Sequence, residues 1–213
     1  LALAMPPGLH AQGTAPGPLP KDSLRDGPHV YWESSSKAIV FYQCGDTLAG
    51  QPLGVRGAGV FKGLCGDEDT EYLISARAPE IEPDEFDGIP RILAVSDIHG
   101  EYDELVSLLV NAGVVDKGLS WSWGKGHLVV LGDVFDRGDQ VTECLWLVHR
   151  LEREAREAGG RVHYLLGNHE TMVLRGDLRY VNDKYLNGIA KTSGILYQDL
   201  FGPAMELGRW LRT

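Results

Sequence analysis

The chain has 213 residues, 43% of them hydrophobic, with 20 Lys and Arg against 30 Asp and Glu, so its formal net charge is −10. A chain of this length can bury roughly 70% of its unfolded surface, and aromatic residues run along most of the sequence, which excludes disorder as the main state. No apolar run of about 18 residues exists to cross a bilayer, so no membrane span is expected, and the acidic balance repels phosphate backbones, which argues against nucleic acid as a partner.

In chain order, residues 1–28 form the first segment. Residues 1–12 (LALAMPPGLHAQ) read either as the tail of a signal-peptide core with a small-residue cleavage site near Ala11 or as a short apolar leader. The first reading predicts an exported protein, periplasmic or secreted. Pro16, Pro18 and Pro20 among Gly, Thr and Ala cannot build a core and predict a flexible leader. Residues 29–77 carry short β-like runs, Val30-Tyr31-Trp32, Ala38 through Tyr42 and Tyr72-Leu73-Ile74, broken by Gly-rich pieces between Gly54 and Gly66. They predict a small N-terminal β appendage. In an oxidising compartment Cys44 and Cys65 are expected to pair, with Cys144 left as a buried thiol. Residues 78–90 are an acidic, Pro-bounded linker.

From Arg91 onward apolar runs alternate with amphipathic helices. Ile92 through Val95 predicts a buried strand, followed by a helix through Leu105, Leu108 and Leu109. His127 through Leu131 is a second strand. Its helix sets Val141, Cys144, Leu145, Val148 and Leu151 on one face and stops at Gly159-Gly160. Val162 through Leu166 is the third strand. The alternation predicts an α/β domain over 91–213 built on a βαβαβ unit, whose strand-end loops lie side by side.

The chemistry-bearing residues sit on those loops: Ser96-Asp97-Ile98-His99-Gly100, Gly132-Asp133-Val134-Phe135-Asp136-Arg137-Gly138 and Gly167-Asn168-His169-Glu170. Asp97 and His99 are two apart, so on an extended strand exit both point the same way and can share a cation. Asp133 can bridge that ion and a second one, to which Asn168 offers a carbonyl oxygen. Mixed carboxylate and imidazole donors suit Mn, Fe or Zn better than Ca. Two such ions about 3.5–4 Å apart can generate hydroxide near neutral pH and clamp an in-line phosphoryl displacement. Arg137 supplies a planar cation for two phosphate oxygens. His169 is placed to touch the phosphate with Asn168 and to protonate the leaving oxygen, and Asp136 to accept its hydrogen bond. His10, His29, His127, His149 and His163 read as structural or surface residues. Asn168 and Glu170 also fit a plain helix cap.

These three motifs resemble the signature of the calcineurin-like metallophosphoesterases. The Asp-Arg-Gly and the Glu after the His look like the phosphoprotein phosphatase branch, and residues 167–181 (GNHETMVLRGDLRYV) and 206–212 (ELGRWLR) are similar to its Shewanella-like protein phosphatases. The resemblance implies an αββα sandwich with two divalent ions. It also implies hydrolysis of phosphoserine, phosphothreonine or phosphotyrosine in a protein or peptide substrate. It makes Asp97, His99, Asp133 and Asn168 metal ligands, Arg137 the phosphate clamp, and His169 with Asp136 the acid pair. The family adds two further histidines downstream, whereas no His follows His169 here. The sequence is therefore expected to hold the first half of the sandwich, truncated at its C-terminal end. Two alternatives remain: a small-molecule phosphoesterase, for example of dinucleoside polyphosphates, and a degenerate module that binds phosphorylated ligands without hydrolysing them. Residues 172–213 read as a helical segment that either caps the cleft or packs as an ordinary hairpin. Arg175 and Arg179 are second phosphate contacts or surface cations.

Overall fold

The computed structural model describes residues 24–77 and 83–213. The leader at 1–23 and the linker piece at 78–82 lie outside the described residues. Packing divides the chain into two units, one of residues 24–77 with Asp183–Arg212, the other of residues 83–182.

The first unit opens with three antiparallel strands, β1 (Arg25–Ser34), β2 (Lys37–Cys44) and β3 (Thr47–Gly54), in the order β1-β2-β3. Val30, Ala38, Val40, Phe41 and Tyr42 are buried and build its core. A hairpin of β4 (Ala58–Lys62) and β5 (Glu71–Ser75) follows. A disulfide ties Cys44 at the end of β2 to Cys65 between β4 and β5, across a Cα–Cα distance of 5.8 Å.

This unit departs from the sequence expectation in two places. Residues 25–28, expected in the leader, begin β1. The Gly-rich stretch from Gly54 to Gly66, expected only to break strands, contains β4, and β3 forms just before it, where no strand was expected. Pro52 is tolerated because β3 is an edge strand, where the missing N–H breaks no inner ladder.

The second unit is a parallel sheet of β6 (Ile92–Val95), β7 (His127–Val130) and β8 (Arg161–Tyr164), crossed by α1 (Tyr102–Asn111) and α2 (Val141–Glu157). Parallel neighbours need such crossovers, since a hairpin can only reverse the chain. Helix α2 buries Val141, Cys144, Leu145, Val148 and Leu151, the stripe its sequence spacing sets. The sheet's His127 and His163 pair through Nδ1 and Nε2 at 2.9 Å, with the Phe86 ring edge-on to both. His149 meets the Trp146 ring edge-on at 5.1 Å. After β8 comes α3 (Asn168–Leu174). All three strands therefore end on one side, and the loops that follow them converge.

The chain then returns to the first unit through α4 (Asp183–Asn187), α5 (Ile189–Ser193), a 3-10 turn (Tyr197–Phe201) and α6 (Glu206–Trp210). Trp32 Nε1 donates to Glu206 Oε2 at 2.6 Å, the Trp32 amide donates to the Ala204 carbonyl at 2.8 Å, and Gln43 Nε2 donates to Thr192 Oγ1 at 3.1 Å. The segment read as either a cap or an ordinary hairpin over 172–213 is thus split. Of its apolar residues, Tyr185, Ile189, Tyr197, Leu200 and Phe201 are buried in the first unit while Leu196 is exposed, and residues 172–182, with an exposed Tyr180, stay with the strand-end loops.

Candidate active site

Backbone strain marks the site first. Seven non-glycine residues among those described have positive φ, and five of them are Asp97, His99, Asp133, Asp136 and Arg137. Left-handed backbone costs an L-residue about 1–2 kcal/mol, so these loops are held against a local preference by what surrounds them.

The hydrogen bonds show what holds them. The His99 amide donates to the Asp133 carbonyl and the Gly138 amide to the His99 carbonyl, both at 2.9 Å, which knits the first loop to the second. The His169 amide at the start of α3 donates to Asp133 Oδ1 at 3.0 Å, which knits the second to the third. Gly132, at φ 85°, lies so close to the Gly167 backbone that a Cβ there would collide with it.

Beneath the loops lies Glu170, fully buried. Its carboxylate accepts the amides of Asp133 (2.8 Å), Val134 (2.8 Å), Phe135 (3.3 Å) and Gly167 (2.7 Å), and the Tyr164 hydroxyl at 3.0 Å. Burial, with the Glu170 charge next, pushes the Tyr164 phenol well above its ordinary range, so it remains a donor.

The side chains above this frame gather as the motifs predict. His99 is buried, and its Nδ1–H donates to the Phe135 carbonyl at 2.9 Å. That bond leaves the lone pair on Nε2, a buried atom with no hydrogen-bond partner that lies 3.8 Å from Asp97 Oδ1. Asp97 itself is largely exposed. His99, Asp133 and His169 present donor atoms all within 4.8 Å of one another. A buried, tautomer-fixed imidazole facing carboxylates is what a divalent cation requires, so the residues fit the metal their motifs imply. Asn168 stands exposed as the first residue of α3, one position before His169.

His169 Nδ1 pairs with Asp136 Oδ2 at 2.7 Å, and its ring meets that of His99 edge-on at 4.7 Å. Burial raises the pKa of Asp136, while the His169 hydrogen bond opposes the rise. Arg137 is exposed on the same loop. Its amide donates to the Tyr180 carbonyl at 3.0 Å and its carbonyl accepts from Asn182 Nδ2 at 2.8 Å. Arg179 forms a two-pronged pair with Asp177, at 2.9 and 2.7 Å.

Sequence reasoning missed the carboxylate hub of Glu170, the Tyr164 hydroxyl, the Phe135 carbonyl, and Tyr180 with Asn182. Only Glu170 had a signal, its place directly after the His169 motif. The Phe135 and Tyr180 carbonyls are backbone groups, which leave no trace in residue type, and the Tyr164 hydroxyl and Asn182 amide lie outside the three motifs.

A parallel sheet presenting Asp and His donors at its strand ends, beside a buried His–Asp pair and an exposed Arg, defines a metal-dependent phosphoesterase scaffold. Residues 90–205 match the calcineurin-like phosphoesterase family, and the chain belongs to it. It is 37% identical over 107 residues to Shewanella-like protein phosphatase 2 of Arabidopsis thaliana, covering 50% of this chain and 27% of that protein. It is 35% identical over 94 residues to Shewanella-like protein phosphatase 1 of Plasmodium berghei (strain Anka), covering 44% and 26%. The crystal structure of the cold-active protein-tyrosine phosphatase of a psychrophilic Shewanella species superposes with a TM-score of 0.80 at 40% identity, over 88% of this chain and 56% of that one. The chain thus spans about a quarter of the length of the two curated relatives, and its fold is the mixed α/β fold of this family.

Proposed function

We propose that this chain forms part of a phosphoprotein phosphatase that hydrolyses phosphomonoesters of serine, threonine or tyrosine with two divalent cations, Mn, Fe or Zn. The observation that carries the reading is the buried, partnerless Nε2 of His99 facing Asp97, with the donors of Asp133 and His169 close by. Asp97, His99, Asp133 and Asn168 would hold the ions, which would supply Lewis-acid charge to activate water and neutralise phosphoryl oxygens.

The chain's own residues do the rest. Arg137 projects a guanidinium able to grip two phosphoryl oxygens in plane. His169, tied through Nδ1 to Asp136 at 2.7 Å, keeps its other ring nitrogen for the substrate. Asp136 fixes the imidazole through that bond, and the ring's Nε2 is the position from which a proton passes to the leaving oxygen as the ester bond breaks. The protein is exported to the periplasm or secreted, a reading supported by the Cys44–Cys65 disulfide, since such bonds persist in oxidising compartments.

The test is turnover by the full-length protein, reconstituted with Mn, on phosphopeptides, a generic aryl phosphate and a dinucleoside polyphosphate. Phosphopeptide hydrolysis is expected to dominate. Asp133→Asn is expected to remove nearly all activity together with bound metal. His169→Asn is expected to retain metal and lose roughly 10²–10⁴ in turnover, most on esters with poor leaving groups. Turnover confined to the nucleotide would assign a small-molecule phosphoesterase, and phosphopeptide binding without turnover a non-catalytic module.

A further inference from the structure

We infer that Asn182, acting with the main-chain carbonyl of Tyr180, is a positioning residue for Arg137; the inference rests on the phosphate-gripping role proposed for that guanidinium. Asp136 and Arg137 are consecutive left-handed residues, at φ 71° and 66°. Two such residues in a row tend to relax toward ordinary backbone, and relaxation at Arg137 would swing its side chain off the loop's outer surface.

Both polar groups of Arg137's own main chain are engaged by residues 180–182. Its N–H donates to Tyr180 O at 3.0 Å, and its C=O accepts from Asn182 Nδ2 at 2.8 Å. Within the same loop, Gly138 N–H donates to the Asp136 carbonyl at 2.9 Å, and the Asp136 side chain is held by His169. The backbone on either side of Arg137 is therefore fixed while its guanidinium stays exposed. The short segment is itself anchored at the site, because the Tyr180 ring lies 5.5 Å from that of His169. A side-chain amide is the natural group for the carbonyl contact. It donates to C=O at neutral charge, whereas a carboxylate of identical shape would repel that oxygen.

The experiment uses the full-length protein reconstituted with Mn, comparing wild type with Asn182→Ala, Asn182→Asp and Asn182→Gln, each alone and in an Arg137→Ala background. Inorganic phosphate serves as the competing ligand and a generic aryl phosphate as the substrate. Asn182→Ala is expected to raise KM and the inhibition constant for phosphate about five- to tenfold, the loss of one well-placed hydrogen bond. Metal content stays at the wild-type level. Asn182→Asp is expected to be as weak or weaker, and Asn182→Gln to recover part of the loss. In the Arg137→Ala background the Asn182 substitutions are expected to add nothing, since their effect passes through the missing side chain.

Amide hydrogen exchange supplies a readout independent of turnover. Exchange at Arg137 and Gly138 is expected to rise about tenfold in Asn182→Ala, with β7 and β8 unchanged. Equal losses in both backgrounds, full function in Asn182→Asp, or unaltered exchange at Arg137 would each overturn the inference. A wild-type protein that neither binds phosphate nor turns over the ester would instead sink the phosphatase reading, with the exchange result still deciding whether Asn182 holds the loop.

Discussion

The Glu170 carboxylate shapes the site from below, through the backbone of its loops. Four amides and one hydroxyl converge on its two oxygens. Glu170→Gln replaces one oxygen with an NH₂ group that must face donors, so at least one buried N–H loses its partner. The expected result is a loss on the order of 3 kcal/mol in denaturant unfolding and weaker metal binding by equilibrium dialysis, although Glu170 is not itself proposed as a ligand. Gly132→Ala tests the neighbouring constraint. A methyl group there meets the Gly167 main chain at a φ of 85°, so the second and third loops must separate. Metal affinity is expected to fall at least tenfold while far-UV circular dichroism keeps its native shape. None of the partners of Glu170 except Tyr164 offers a side chain, which is why the motif that names Glu170 does not reveal its work.

Among the secondary-structure elements, β6, β7 and β8 were legible because each is a short apolar run closed by a Gly, Asp or Asn loop, and α2 because its apolar stripe repeats over many residues. β3 was not, since Gly50, Pro52 and Gly54 imitate a turn and only pairing with β2 makes that stretch a strand. The disulfide between β2 and the β4–β5 hairpin closes a separation of 21 residues, which chain-entropy reasoning values at about 3 kcal/mol. Thermal unfolding with and without a reductant is expected to show a clear fall in Tm on reduction, absent in a Cys44→Ala/Cys65→Ala variant. Cys144 on α2 behaves differently. Burial, with Glu143 next, pushes its thiol far above the ordinary range. The folded pKa lies above the unfolded one, so the buried thiol's contribution is fully present below about pH 8.5 and is lost as pH rises beyond it. Denaturant midpoints measured from pH 7 to 10 are expected to fall on the alkaline side, less steeply in Cys144→Ala.

For the molecule as a whole, the division of residues 172–213 could not be read in the sequence. The apolar residues after residue 182 look like a continuation of the α/β domain, yet the same stretch bonds through Glu206 and Thr192 to Trp32 and Gln43, far away along the chain. Long-range partners leave no local periodicity. The proposed metal site has a consequence at this scale too. A ligand bound only by the folded state stabilises it by about 2.7 kcal/mol at a hundredfold excess over its Kd. Added Mn is therefore expected to raise the Tm of the transition that reports the 83–182 unit, with reversal by a chelator and no shift in Asp133→Asn.

The left-handed turns at Asp97, Asp133 and Asp136 impose a double requirement on their side chains, one chemical and one of chirality. Aspartate meets both at small expense, because among L-residues it and asparagine tolerate that region best. A descendant that abandoned the proposed reaction would be freed from the first requirement only. Glycine and asparagine would then accumulate at these three positions, and the fossil of the lost chemistry would be legible as a string of unusually permissive turns after short parallel strands.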